Sequence, residues 1–586
     1  MQNKIILFSL LQFVFNISNA QLPIVNSPII PTPTQTVYLD PNGNDSNAGT
    51  FASPKKTFYA AINSLSFGIP NKDGGNAYGE VVFKSGNYYL TGTSGITQDY
   101  NNWRAVSNGV YVYKNISIKG LGNVILHGDS LSGSSQMIYL RGSGIKVSNI
   151  KIKDSRLHGV AIIGSNIKHH SNVVVDSVFV DGAIDNGIWI TGYNNVLVQN
   201  CSISNTCLRN YNSTGDCHWA SACRVENSNH ATVINNEIFN NWGEGLNMSL
   251  VRYANIKDNR VYNNYSVNIY CNSTSNAVYS HNLSYNTDST FWRNCVGNGK
   301  TSADDDFPLL QPVTYFQTDS VYVFNNIVLN ASISIWDAFS GFNNFANLTN
   351  FFISHNTVIG VSGQQDLNKP LVNISMLLPF VRYSNVNISK NLFSADTNDI
   401  KIVNLNTYVP NGTCNLPWQT ETFFSNNMWN KVPNNSSLNL SKELQNSAII
   451  QSVNFNNLAP IIPNASNPTL IYTIPLVNYI TDDYFHNPRN SNTNIGAIET
   501  SVVSNGIFID TKNQFISPNP VTDILNFNEE VVAKNISIYN INGEQLYVKN
   551  DFTGNRIDVS KLKSGIYFLV ISDSQKKEKK IKFVKL

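Results

Sequence analysis

Hydrophobic and polar positions alternate along the middle of this chain in a short rung that returns many times. The rung reads hydrophobic, any residue, Asn, Asn or a near equivalent, any residue, hydrophobic, as in Val233 to Ile238 and Ile256 to Val261. It returns at Val323 to Val328, at Ile353 to Val358 and, more loosely, at Ile388 to Phe393. Its last polar position holds in turn Ser177, Cys201, Asn236, Asn259, Asn282, Asn326, Asn356 and Asn391, and the steps from Asn236 to Asn259 to Asn282 are each 23 residues. A fixed period of this size marks a solenoid, and strand-like alternation without a 3.6-residue pattern makes its coils from β-strands. The pattern predicts an all-β chain wound as a parallel β-helix. The repeated Asn reads as a side-chain ladder stacked at a bend.

The coils run from about Val124 to Phe393, interrupted at Leu208 to His218 and at Asp288 to Gln317. Insertions in a solenoid gather on one face, often the binding face. Counterparts in successive coils stand about 4.8 Å apart, so a functional site is a column on an outer face. One strand of each coil aligns as His158 to Ile163, Asn186 to Thr191, Ser221 to Glu226, Glu244 to Ser249 and Val267 to Asn272. Its third and fifth positions are apolar and point inward. The outward column between them is Ala161, Trp189, Arg224, Asn247 and Tyr270, and the next is Thr191, Glu226, Ser249 and Asn272. His158, Asn186, Ser221 and Glu244 stand at the bend into the strand, and His218 and Trp219 arrive from the first insertion.

Composition narrows the partners. Charged residues make up 13% of the 586, with 40 basic against 38 acidic, about half the usual share of roughly 25%. Such a surface suits neutral or hydroxyl-rich partners, and without a basic tract before the far C-terminus nothing recommends a nucleic acid. Lys4, the apolar run Ile5 to Phe15 and the small residues Ser18-Asn19-Ala20 read as a secretory signal over residues 1–20, with the mature chain starting near Gln21. The apolar run is too short to span roughly 30 Å of hydrocarbon, and no later segment is apolar enough. An exported, soluble chain, expected to act as a monomer, is the consequence.

Seven cysteines is an odd number for an exported chain. Cys207 and Cys217 flank a polar insertion and form a candidate clasp, Cys223 and Cys271 fall on inward positions and read as buried thiols, and Cys201 is open. No CxxC spacing supports a zinc site.

The two ends carry resemblances. A Pro-rich leader occupies residues 21–36, then comes Val37 to Thr50, Pro54-Lys55-Lys56-Thr57-Phe58, the amphipathic stretch Tyr59 to Leu65 and Gly86-Asn87-Tyr88-Tyr89. This resembles the opening of secreted right-handed parallel β-helix proteins of the pectate-lyase-like class, in which a strand and short helix cover the exposed end of the first coil. Thr481 to Phe485, Arg489 and Asn494 to Glu499 resemble the segment that closes such domains, placing the β-helix domain at 37–500 and a linker at 501–514. Over 515–586, Ser517-Pro518-Asn519-Pro520, Ile524 to Phe527, Ile536 to Asn540, Gly543-Glu544, Ile557 to Leu562 and Ser564 to Ile571 alternate strands with Gly or Asn turns, as in a small β-sandwich. Ending in a Lys-rich strand, this series resembles the type A C-terminal sorting domain of the type IX secretion system of Bacteroidetes. It implies passage across the outer membrane, handled by that machinery, to release or attachment at the cell surface.

Polysaccharide lyases on this fold remove the proton beside a uronate carboxylate, which needs a base, a group that neutralises the carboxylate and an acid for the leaving oxygen. In the aligned columns Arg224 with Asn247 suits the carboxylate, Tyr270 or His218 the proton transfers, and Trp189 and Trp219 the sugar faces, with Glu244 a further catalytic candidate. Glu226, Asn272 and His158 line the same surface. Set against this, Arg224 and Glu226 lie about 6.6 Å apart along one strand face and suit a surface ion pair. A hydrolase would need two carboxylates roughly 5 to 9.5 Å apart, whereas Glu226 and Glu244 are separated by about 16 Å of strand. Asp304-Asp305-Asp306 is the one candidate for Ca²⁺; no other cofactor is implied. The strands lack the outward Lys that serves as base in several such lyase families. The expected function is a polysaccharide lyase acting on an acidic polysaccharide, with a glycoside hydrolase or a non-catalytic polysaccharide binder as alternatives.

Overall fold

A computed structural model describes residues 22–65, 78–90, 110–112, 116–131, 136–164, 169–211, 220–287, 291, 306–311, 317–336, 346–360, 371–376, 381–395, 403–407, 422–430 and 443–445, with most of 473–499 and 516–585. The chain forms two compact units that divide between Thr500 and Ser501.

In the first unit, 31 strands join in one continuous parallel system. Three strands of each coil fall on three sheets. The first carries Val160–Ile163, Ile188–Thr191, the starts of Ser221–Ile234 and Glu244–Lys257, and Ile269–Asn272. The second carries Tyr193–Gln199, the later parts of Ser221–Ile234 and Glu244–Lys257, and Ser275–Ser280. The third carries Ser202–Ser204, Glu237–Phe239, Arg260–Tyr262 and Leu283–Tyr285. Inward residues such as Ile188, Ile190, Val225, Leu246, Met248 and Ile269 fill one core. Buried on all sides by their coils, these positions read as β-branched and aliphatic because such side chains pack well on a pleated surface.

The marker residues build a ladder. Asn236 Nδ2 donates to Asn259 Oδ1 at 2.9 Å, Asn259 to Asn282 at 3.0 Å, Asn282 to Asn326 at 3.0 Å, and Asn326, Asn356 and Asn391 each to the next at 2.9 Å, ending on Asn427. Each Oδ1 also accepts the backbone N–H of the previous marker, and each Nδ2 reaches back to a strand carbonyl, as from Asn259 to Val233 at 2.9 Å. The residue just before each marker, among them Asn235, Asp258, His281, Asn325, His355, Lys390 and Asn426, has φ between 54° and 61°. The bend needs one left-handed residue, and Asn or Asp takes that conformation at low cost.

The coils extend beyond the predicted span. At the start, Gln35–Leu39 pairs with Gly79–Tyr89, and the helix Phe58–Ser64, capped by Thr57, buries Phe58, Ala61 and Ile62 against the core. Past Ser394, Val381–Ser389 pairs with Thr422–Ser425, and Met428–Trp429 with Leu444–Gln445. The segment Thr481 to Glu499 lies along one edge of the coils. Arg489 donates to Asn325 Oδ1 at 3.0 Å and pairs with Glu499 at 2.9 Å, and the Gly496 N–H donates to Lys390 O at 3.0 Å. The leader is likewise a strap. Thr34 binds Tyr78 O at 2.8 Å, Ile29 N–H donates to Asn172 and Asn26 N–H to His230, both at 3.2 Å, and Leu22 packs on Val278, Tyr322, Phe324 and Ile480.

Cys201, Cys207, Cys223 and Cys271 are buried free thiols, with burial raising Cys223 and Cys271 to about 12. Of the candidate Cys207 to Cys217 clasp, Cys207 lies beside the Thr206 hydroxyl, and Cys217 is outside the described residues. The second unit is a five-stranded antiparallel sheet from Ile516 to Lys585 around its own core of Val521, Leu525, Ile536, Leu569 and Phe583.

The ladder yields a direct expectation. Asn259→Leu leaves the buried Asn236 backbone N–H and Val233 O without this partner and removes one of the two bonds made by Asn236 Nδ2 and by Asn282 Oδ1, at about 1–3 kcal/mol per stranded group. Chemical denaturation should show a loss of about 3 kcal/mol or more; a loss below about 1 kcal/mol would mean that the ladder contributes little.

Candidate functional site

The first sheet places the outward column in register. Ala161 stands opposite Trp189, Trp189 opposite Arg224, Arg224 opposite Asn247, and Asn247 opposite Tyr270, with Leu309 on the next rung. Thr191, Glu226, Ser249 and Asn272 form the neighbouring column. His218, Trp219, Asp304 and Asp305 lie outside the described residues, as does the side chain of Asp306.

The bend residues turn toward one another and form a relay. The Asn186 N–H donates to His158 Nδ1 at 3.3 Å, the Ser221 N–H to Asn186 Oδ1 at 2.7 Å, and the Ser221 hydroxyl to Glu244 Oε2 at 2.5 Å. Asn247 Nδ2 also donates to Glu244 Oε2, at 2.5 Å, and contacts Ser221 Oγ at 3.2 Å. Glu244 is thus buried at the foot of the outward column, its carboxylate held by two side-chain donors. Coil spacing here demands glycine: a Cβ on Gly187 would lie 2.7 Å from Ala222 O, and one on Gly245 would lie 2.4 Å from Asn268 O.

Arg224 Nη2 donates to Glu226 Oε1 at 2.8 Å, and the Trp189 indole N–H to Glu226 Oε2 at 3.2 Å. The pair is about a quarter exposed, 24% for Arg224 and 23% for Glu226, a setting in which an ion pair contributes about 0–1 kcal/mol and can open to an incoming anion. Tyr270 is buried; burial, then the Glu244 charge, pushes its phenol well above the ordinary value, with Arg224 opposing. The phenol is therefore protonated at neutral pH. Burial pulls His158 down to about 4, with the charges of Arg209 and Arg224 adding to it against Asp185. Its Nδ1 accepts from Asn186, which puts the proton of the neutral ring on Nε2, and its edge meets Trp189 at 5.0 Å. Asn272 is half-buried at the end of its column.

A second cluster was not anticipated. Asp258, His281 and His486 bring ligand-type atoms within 4.8 Å of one another, the one such group among the described residues. The two rings stack with centroids 4.4 Å apart at 23°, so their in-plane lone pairs run side by side and do not converge on an ion. His486 instead gives one N–H to Asp258 at 2.8 Å and the other to Asp482 at 2.9 Å, and His281 donates to Asp482 at 3.2 Å. Burial alone would raise Asp482, but the bonds from His281 and His486 hold it well below its usual value; burial also keeps His281 neutral. The Asp258 and then the Asp482 hydrogen bonds raise His486 to about 9, against burial and the nearby Lys257. The group is a charge clamp that fastens the closing segment to the coils. Repeat spacing could have flagged Asp258 and His281, since both precede markers, but His486 joins from 228 residues away.

Residues 136–358 match the family described as right handed beta helix region, and residues 516–585 match the secretion system C-terminal sorting domain. The chain is a right-handed parallel β-helix protein that carries a sorting domain of the type IX secretion system. That domain directs export to the cell surface or beyond, and no helix among the described residues is long and apolar enough to cross a membrane. No curated protein matches the chain by sequence. Similar solved structures include XylC in complex with xylose, 10% identical with a TM-score of 0.47 over 79% of this chain and 98% of that one. They also include the DFA-IIIase of Arthrobacter chlorophenolicus A6, 10% identical with a TM-score of 0.40 over 71% and 100%. A rhamnogalacturonan lyase is 12% identical with a TM-score of 0.36 over 67% and 87%.

The clamp has a definite pH signature. His486 rises from 6.5 to about 9 on folding, so its contribution is complete below about pH 6.5 and is lost as pH climbs through 9. Thermal melts between pH 6 and 9.5 should show a falling Tm that flattens in His486→Gln. An unchanged slope in the variant would rule the clamp out.

Proposed function

We propose that the protein is an exported polysaccharide lyase that cleaves a uronate-containing polysaccharide by β-elimination on the outer face of the first sheet. Residues 1–20 act as its signal peptide, and the sorting domain completes the route outward. The observation that carries this reading is the buried Tyr270 phenol, held protonated in the column that also holds Arg224 and close enough to feel the Glu244 carboxylate.

The roles follow from chemistry. Arg224 exchanges part of its contact with Glu226 for the uronate carboxylate, which makes the neighbouring C–H more acidic. Glu244 takes that proton, the electron pair forms a carbon–carbon double bond, the bond to the leaving oxygen breaks, and Tyr270 gives its proton to that oxygen. The resulting phenolate is stabilised by Arg224, and the proton on Glu244 returns to it. Trp189, fixed by its bond to Glu226, offers a ring to a sugar face.

Glycoside hydrolysis is the second reading. The hydrogen bond from Asn247 shows Glu244 reaching along the strand from its bend, which shortens the separation from Glu226 that a straight strand would impose. Incubation with a panel of acidic polysaccharides separates the outcomes. A lyase generates an unsaturated product that absorbs in the ultraviolet, a hydrolase yields reducing ends without it, and a binder retains the glycan uncut. Arg224→Ala and Tyr270→Phe should each lower the rate of double-bond formation by about 10²–10⁴-fold; full activity in both would sink the assignment.

A further inference from the structure

Within this candidate site, one buried acceptor has no partner among the described residues. Asn247 is 2% exposed, and its Oδ1 accepts no hydrogen bond from any described residue. Its orientation is fixed by its other end, because Nδ2 donates to the Glu244 carboxylate at 2.5 Å and contacts Ser221 Oγ at 3.2 Å. A carboxylate only accepts, so Nδ2 faces it and Oδ1 must face away. Arg224 and Tyr270 flank Asn247 on the adjoining rungs, and neither donates to this oxygen. The expectation that Asn247 helps Arg224 to neutralise a carboxylate is accordingly replaced: its donor is already engaged, and what remains is an acceptor.

Buried polar groups are nearly always paired, and one left unpaired calls for an explanation such as a catalytic role or a group that completes it. We infer that Asn247 Oδ1 accepts a hydrogen bond from a hydroxyl or amide N–H of the sugar unit bound between Arg224 and Tyr270. The site therefore selects a substrate unit by a free donor at that point, while Arg224 alone meets the carboxylate. This inference rests on the proposed activity and adds a specificity determinant to it. The other clusters are already accounted for: the parallel rings of Phe239, Tyr262 and Tyr285 cover one another at 5.1 and 4.5 Å, and the Asp258 group is the clamp described above.

The test compares a cleaved uronate polysaccharide with the same polymer after chemical O-acetylation, which removes hydroxyl donors and keeps the backbone. Wild type should prefer the unmodified polymer by roughly 10- to 100-fold in kcat/KM, the loss that accompanies an unpaired buried group. Asn247→Leu should lose most of that preference. Asn247→Asp keeps an acceptor oxygen but sets a second carboxylate against Glu244, so it should retain the preference at a lower rate. Binding of both polymers, measured by affinity electrophoresis, gives the same comparison for a variant too slow to assay, and thermal melts identify any variant that fails to fold. An unchanged preference in folded Asn247→Leu overturns the role of Asn247 and leaves the lyase reading intact. If wild type neither cleaves nor binds any acidic polymer, the lyase reading falls and this inference falls with it.

Discussion

From Asn236 to Asn427 successive coils turn at a buried amide that must be satisfied on every side, and the register of the first unit depends on this constraint. A marker such as Asn259 accepts from the Asn236 backbone and side chain, and donates to Val233 O and to Asn282. An apolar residue there would leave donors and acceptors of two coils unpaired in a dry interior, where water offers no replacement. Because the amides stack in line, coil after coil is held at one height and in one register. Outward side chains then fall in columns regardless of how long the insertions are. Tyr270 stands beside Asn247 for this reason.

The ladder fixes height but leaves the edges of the coils open, and the chain closes them with its own two ends. The leader crosses successive rungs from Tyr78 to the apolar patch around Tyr322. The closing segment lies over the left-handed residues Asp258, His281, Asn325, His355 and Lys390, engaging Asp258 and His281 with the charge clamp and Asn325 with Arg489. These turns expose polar backbone, and the straps offer Arg489, Asp482 and His486 as partners where another β-strand could not pair.

Much of this was legible in the sequence because a solenoid converts spacing into position. The columns through Trp189, Arg224, Asn247 and Tyr270 needed only an alignment of coils. The end of the coils was not legible, since the marker steps become uneven after Asn282, at 44, 30, 35 and 36 residues toward Asn427, and a strict period overlooks Ser425-Asn426-Asn427-Met428 even though it fits the rung. Bend residues were also hidden. Counting residues along a straight strand set Glu244 far from Glu226, but its side chain lies against Asn247. The donor and acceptor ends of Asn247 could not be told apart without its partners, and the clamp joins residues that no periodicity connects.

The central claim is that the outer face of the first sheet, with Arg224 at its centre, is where an acidic polysaccharide reacts. The most direct measurement is a crystal structure of the full chain carrying Tyr270→Phe with an acidic oligosaccharide bound. The account predicts a uronate carboxylate on Arg224, the leaving oxygen beside the ring at position 270 and the carbon that loses its proton facing Glu244. An oligosaccharide seated on the second or third sheet, with the Arg224 to Glu226 pair undisturbed, would contradict it.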